Sequence, residues 1–219
     1  MTDMPPIKSV APESDTPKSM KAFAARLMQY IEMRNPDLDP RFKGDPAKDV
    51  PSIAEEYLEQ GKALGVRGDY ALFQAILETG SLSFKNGGRQ GDVRPEQNNF
   101  AGLGATGGGV PGETFKSLAE GVKAHLQHLL LYAGDKIENP IAERTRKVQE
   151  WGVLDSWHKR FERPITFADL AEKWAPGSGT YGRMIEAIAE RFKDFNKHNR
   201  AEADTEPKRH ASLTPASSL

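Results

Sequence analysis

The chain has 219 residues, with 30 Lys and Arg against 31 Asp and Glu, for a formal net charge of −1. That balance excludes the basic excess of a dedicated nucleic-acid binder, and the absence of cysteine excludes disulfides, thiolate catalysis and Cys-ligated zinc. No run reaches the roughly 18 apolar residues of a membrane span.

Residues 1–18 are rich in Pro, Ser, Asp, Glu and Lys. Such a composition cannot offset its ordering entropy, and a disordered N-terminal tail is expected. It has neither a basic n-region nor an apolar h-region, so no secretory signal is expected in this chain. From Ser19, Phe23, Leu27, Tyr30 and Ile31 recur at helical spacing until Asn35-Pro36. A polar connector follows. Pro51-Ser52 opens a second helix through Ile53, Tyr57, Leu58 and Leu64, and a third, strongly apolar helix runs from Tyr70 to Leu77 with Gly80 as its stop. Residues 87–112 hold nine glycines in 26 positions, a long loop of the kind that carries function. Helical periodicity returns from Phe115 to Ala133. Beyond it, Trp151 and Trp157 are read as core in preference to sugar-stacking platforms. Thr166–Trp174 is expected to be helical, with Thr166 as N-cap and Asp169 facing it, and a last helix spans Thr180 to His198. Residues 200–219 read as a second disordered tail. The pattern predicts one mainly α-helical domain over residues 19–199.

Three constellations stand out. Glu78 ends the apolar helix on the face of Ala71, Gln74 and Ala75. A carboxyl there meets the negative end of the helix dipole and loses solvent, which raises its pKa and suits it to general acid work. The plain alternative is a solvated glutamate on a last turn. Gly102-Leu103-Gly104-Ala105-Thr106-Gly107 spells G-x-G-x-x-G, but the polar residues before it cannot be a buried strand and Gly108-Gly109-Val110-Pro111 cannot continue a helix. The dinucleotide reading is therefore set aside. His125 and His128 stand at i, i+3, yet no carboxylate spacing completes a metal site, and one packed and one surface histidine are expected.

Taken together, four segments resemble the bacterial glucosaminidase domain family, the endo-β-N-acetylglucosaminidases of glycoside hydrolase family 73 in the lysozyme-like superfamily. They are Ala75-Ile76-Leu77-Glu78-Thr79-Gly80, the loop from Gly91 through Asn98-Asn99-Phe100-Ala101-Gly102 to Ala105, the helix entered at Phe115-Lys116-Ser117, and Tyr181 after Ala175–Thr180. The resemblance implies a lysozyme-like helical domain with a long glycine-rich active-site loop. It implies a hydrolase that cleaves β-1,4 bonds of an N-acetylglucosamine-containing glycan, with the glycan strands of peptidoglycan as partner. Work in the periplasm or outside the cell would follow. Glu78 would be the general acid, Asn98, Asn99, Phe100, Gly102 and Tyr181 would hold the sugar, and no metal or organic cofactor is implied. For the second catalytic group, Glu113, Asp92 and Glu96 are in reach by sequence, with Glu113 first to test; the substrate's own N-acetyl group is the remaining option. The rival readings are a non-catalytic glycan-binding module and a structural component of a phage or secretion apparatus.

Overall fold

The computed structural model describes residues 4–12, 15–107 and 109–210. Among these, seven α-helices carry the fold and a single two-stranded hairpin is the only sheet. The domain is mainly helical, as expected. Helix α1 spans Pro17–Arg34. It starts on a reciprocal cap, in which the Thr16 side chain accepts from the Ser19 N–H and the Ser19 side chain from the Thr16 N–H. Its inner face is Phe23, Ala24, Leu27, Met28, Tyr30 and Ile31. Helix α2, Ile53–Leu64, opens on a Ser52–Glu55 capping box and stops at Gly65, whose φ of 68° favours glycine.

Helix α3, Gly68–Glu78, is buried from Gly68 through Ile76 and packs against α2, against α4 (Leu118–Tyr132) and against α7 (Tyr181–His210). Its approach to α2 depends on Gly68, where a Cβ would lie 2.2 Å from the Tyr57 carbonyl oxygen. A helix enclosed on so many sides is apolar nearly all round, and the polar residues buried before its end, Asp69 and Gln74, are paired within the protein. The short helices α5 (Glu143–Glu150) and α6 (Asp155–His158) complete one end, with Trp157 buried there. Strands β1 (Lys85–Asn86) and β2 (Arg89–Gln90) pair antiparallel across Gly87-Gly88, both at positive φ, in the register Lys85 to Gln90.

The structure corrects several expectations. Residues 4–12 of the expected N-terminal tail lie on the domain. Ile7 is fully buried, its N–H donates to the Ile165 carbonyl at 2.9 Å, and its own carbonyl accepts from the Arg67 N–H at 2.9 Å. Met4 and Ala11 are buried beside it. Three apolar residues and a few backbone bonds suffice to order a segment whose composition is otherwise that of a tail. The last helix continues to His210, past the expected start of the second tail, and residues 211–219 lie outside the described residues. Thr166–Trp174 forms a four-residue 3₁₀ turn at Asp169–Glu172 in place of a helix. Asp169 does accept from the Thr166 N–H and hydroxyl, both at 2.8 Å, but the nearby Ala175-Pro176 leaves no room for further turns. Trp157 is core, whereas Trp151 is exposed with the Arg144 guanidinium over its ring. His125 and His128 are both buried.

Candidate active site

Glu78 is the last residue of α3, and the chain reverses directly behind it. Thr79 clamps the turn: its hydroxyl donates to the Ala75 carbonyl at 2.6 Å and accepts from the Leu82 N–H at 2.9 Å. Gly80, Ser81, Leu82 and Phe84 all take positive φ, between 55° and 60°. Three of these are not glycine, and a left-handed conformation costs such residues about 1–2 kcal/mol each. The strained reversal brings β1–β2 back over the end of α3 and makes one wall of a cleft of about 870 Å³. Glu78 and Tyr181 line this cleft together with Trp174, Asp92 and Gly102, and Lys85 and Arg89 of the hairpin lie along it.

The Glu78 carboxyl is held by two donors that meet on one oxygen. Trp174 Nε1–H donates to Oε1 at 3.0 Å, and the Tyr181 hydroxyl makes a short bond to the same atom. Trp174 is itself fixed by the rings of His128 and Tyr132, each with its centroid 5.1 Å away. Tyr181, the first residue of α7, also accepts from Gln74 Nε2 at 2.8 Å. Burial holds the Glu78 carboxyl above the usual glutamate range, while the bonds from Tyr181 and Trp174 pull it back down. Burial and the adjacent Glu78 push the Tyr181 hydroxyl well above the usual tyrosine range, so it remains a donor. With Oε1 accepting twice, Oε2 is the oxygen left to carry a proton.

The other expected site residues divide. Asp92 and Gly102 border the cleft. Gly102 has a φ of 63°, and no other group comes within 4 Å of where its side chain would begin, so the backbone there is open. Asn98, Asn99 and Phe100 do not face it. Asn98 donates to the Phe115 carbonyl at 3.0 Å, and its own carbonyl packs so close to α4 that only Gly121 fits opposite. Asn99 is fully buried, donating to the carbonyls of Leu103 and Glu113 at 2.9 and 3.0 Å and accepting from the Leu103 N–H at 2.9 Å. Phe100 sits in the core against Phe42. These three shape the glycine-rich loop from within. Glu113 is likewise turned away, because its carboxylate accepts the N–H groups of Glu143 and Arg144, both at 2.7 Å, and so caps the start of α5. Glu96 is exposed on the 3₁₀ turn Pro95–Gln97, outside the cleft lining. Trp174 was not singled out from the sequence. Its signal was present only in combination, as an aromatic close before the Tyr181 segment.

No group of three or more His, Asp or Glu that could hold a metal ion occurs among the described residues. His128 pairs with the Thr145 hydroxyl at 2.9 Å, and His125 bonds to Tyr57 and Gln74. No helix among the described residues is long and apolar enough to cross a membrane.

The family model for the glucosaminidase domain, described as mannosyl-glycoprotein endo-beta-N-acetylglucosaminidase, matches residues 54–194. That stretch includes Glu78, Trp174 and Tyr181. A protein described as uncharacterized, from Borreliella burgdorferi (strain ATCC 35210 / DSM 4680 / CIP 102532 / B31), is 32% identical over 177 residues, covering 80% of this chain and 75% of its own length. No solved structure matches the chain.

Proposed function

This chain belongs to the glucosaminidase domain family, and from that premise we propose that it is an endo-β-N-acetylglucosaminidase that cuts β-1,4 bonds in peptidoglycan with Glu78 as general acid. The observation that carries the proposal is the state of the Glu78 carboxyl. It lies on the cleft, its pKa is raised by burial, and both fixed donors meet on Oε1. A proton held on Oε2 is then available to a glycosidic oxygen as the sugar develops oxocarbenium character. Once that proton has left, Tyr181 and Trp174 stabilise the carboxylate they already contact.

Water attack on the opposite face calls for a second group. Among the three carboxylates in reach by sequence, Asp92 alone lines the cleft, which favours Asp92 over Glu113 as the base. Assistance by the substrate's N-acetyl group is the other route. The exposed Lys85 and Arg89 along the cleft suit an anionic glycan. Action on peptidoglycan sets the place of work in the periplasm or outside the cell. Digestion of purified cell walls followed by mass spectrometry tests the reading. New reducing ends on N-acetylglucosamine, lost in Glu78→Gln, are expected. Ends on N-acetylmuramic acid would make the protein a muramidase, and no new ends at all would favour a glycan-binding module.

A further inference from the structure

Behind Glu78 runs a line of buried hydrogen bonds that crosses four helices. The Tyr57 hydroxyl on α2 meets His125 Nδ1 on α4 at 2.8 Å, and His125 Nε2 meets Gln74 Oε1 on α3 at 3.1 Å. Gln74 Nε2 donates to the Tyr181 hydroxyl on α7 at 2.8 Å, and that hydroxyl donates to Glu78 Oε1. Tyr57, Gln74 and His125 are fully buried and Tyr181 nearly so.

The direction of every bond follows from donor chemistry. The Gln74 oxygen can only accept, so the His125 proton sits on Nε2. Burial pushes the His125 pKa down to about 3, so the ring is neutral and Nδ1 carries no proton. Nδ1 must then accept from Tyr57. The amide N–H of Gln74 points at Tyr181, and the single Tyr181 proton is thereby left for Glu78. All four donors face the same way, ending on the carboxyl.

An apolar residue at position 74 would fit the surroundings of α3 at lower desolvation cost, since a buried polar chain is favourable only when each member is satisfied. We propose that Tyr57, His125 and Gln74 are positioning residues for the reaction: they fix the Tyr181 hydroxyl as a donor to Glu78 Oε1 and so keep the transferable proton of Glu78 on Oε2. The chain polarises in the sense that strengthens the last bond, which is the bond that must hold the carboxylate once its proton has gone. The inference rests on the assignment of Glu78 as the acid. The titratable and charged groups around Glu78 are Tyr181 from α7 and, across the cleft, Lys85, Arg89 and Asp92. His128 and Tyr132 of α4 lie behind Trp174.

The test is a carboxyl-carbon NMR titration of Glu78, which needs no substrate, on the full chain carrying Gln74→Met, Tyr57→Phe or Tyr181→Phe, and on the Gln74→Met, Tyr181→Phe double variant. Gln74→Met keeps length and removes both bonds. It should raise the Glu78 titration point by about half a unit or more, the direction expected when a hydrogen bond to the charged form weakens. The alkaline limb of the pH–rate profile on cell walls should move the same way, with kcat down about 5- to 50-fold and KM within about twofold, because the interaction removed acts mainly in the transition state. In the Tyr181→Phe background Gln74→Met should shift nothing further. Tyr57→Phe deletes one oxygen at the far end and should give a smaller shift of the same sign, which keeps the test open should Gln74→Met not fold. An unshifted Glu78 in a folded Gln74→Met or Tyr57→Phe variant overturns the proposal, as does a Gln74 effect that persists without the Tyr181 hydroxyl. Titration shifts as expected in a protein that cuts no glycan would support the coupling and overturn the glycosidase reading on which its catalytic meaning rests.

Discussion

Burial raises the Glu78 pKa, so between the ordinary glutamate value and the raised one the folded protein binds a proton that the unfolded chain has released. Stability therefore falls as pH rises through that window, and below it Glu78 has no such cost. Glu78→Gln removes the titration while keeping the shape. It should lower cell-wall turnover by at least about 10²-fold through loss of the general acid. Its melting temperature at pH 7 should equal or exceed that of the wild type, by a margin that shrinks towards pH 4. A variant less stable at pH 7 than at pH 4, relative to wild type, would contradict the sign. The two other carboxylates separate in the same way. Asp92→Asn should reduce turnover and remove the acidic limb of the pH–rate profile, because that limb reports ionisation of a base. Glu113→Gln should leave the profile in place and cost about 0.5–2 kcal/mol of stability, the range for loss of a helix N-terminal cap. An unchanged acidic limb in Asp92→Asn would move the mechanism to the N-acetyl group.

The helical elements were legible because their apolar residues recur at the helical period: Phe23, Leu27 and Ile31 on α1, Ile53 and Tyr57 on α2, and Val122, Leu126 and Leu129 on α4, all buried. Glu78 was legible as the acidic end of a helix with hardly any other polar group. Asn98 and Asn99 were not, because a side-chain amide that braces a loop and one that binds a sugar have the same signature in sequence. In the folded loop Asn99 meets the Leu103 and Glu113 carbonyls, and Asn98 the Phe115 carbonyl. The bonding of Glu113 was hidden for a related reason: its partners, the Glu143 and Arg144 N–H groups, lie 30 and 31 residues away. The N-terminal segment escaped notice because Met4, Ile7 and Ala11 form no period. Its contribution is open to direct measurement. Ile7→Ala should destabilise the protein by about 2–5 kcal/mol, the usual cost of emptying a buried isoleucine site. Removal of residues 1–12 should cost at least as much, and a truncated protein with an unchanged denaturation midpoint would show that the contact adds nothing.

For the molecule as a whole, His125 and His128 contribute to the response to acid. Both are buried and hydrogen-bonded, and burial holds each near pKa 3 against an ordinary value of 6.5. Between those values the unfolded chain binds protons that the folded one refuses, so stability present above pH 6.5 is lost progressively as pH falls. This slope is opposite to that from Glu78. Thermal unfolding followed from pH 7 to pH 4 should show a falling melting temperature, and replacement of His128 by Gln should flatten the fall; an equal slope in the variant would remove His128 from the account. The backbone bonds of Ile7 have a different consequence, for the order in which the protein is made. Ile7 is bonded both to Arg67 and to Ile165, which lies much further along the sequence. During synthesis the early helices leave the ribosome long before Ile165 exists, so the slot that Ile7 shares with it stays half-built until that residue has been made. Closing so long a loop is the kind of non-local step that slows folding. A nascent chain stalled short of residue 165 should therefore remain protease-sensitive in the segment around Ile7, although its first helices have already emerged.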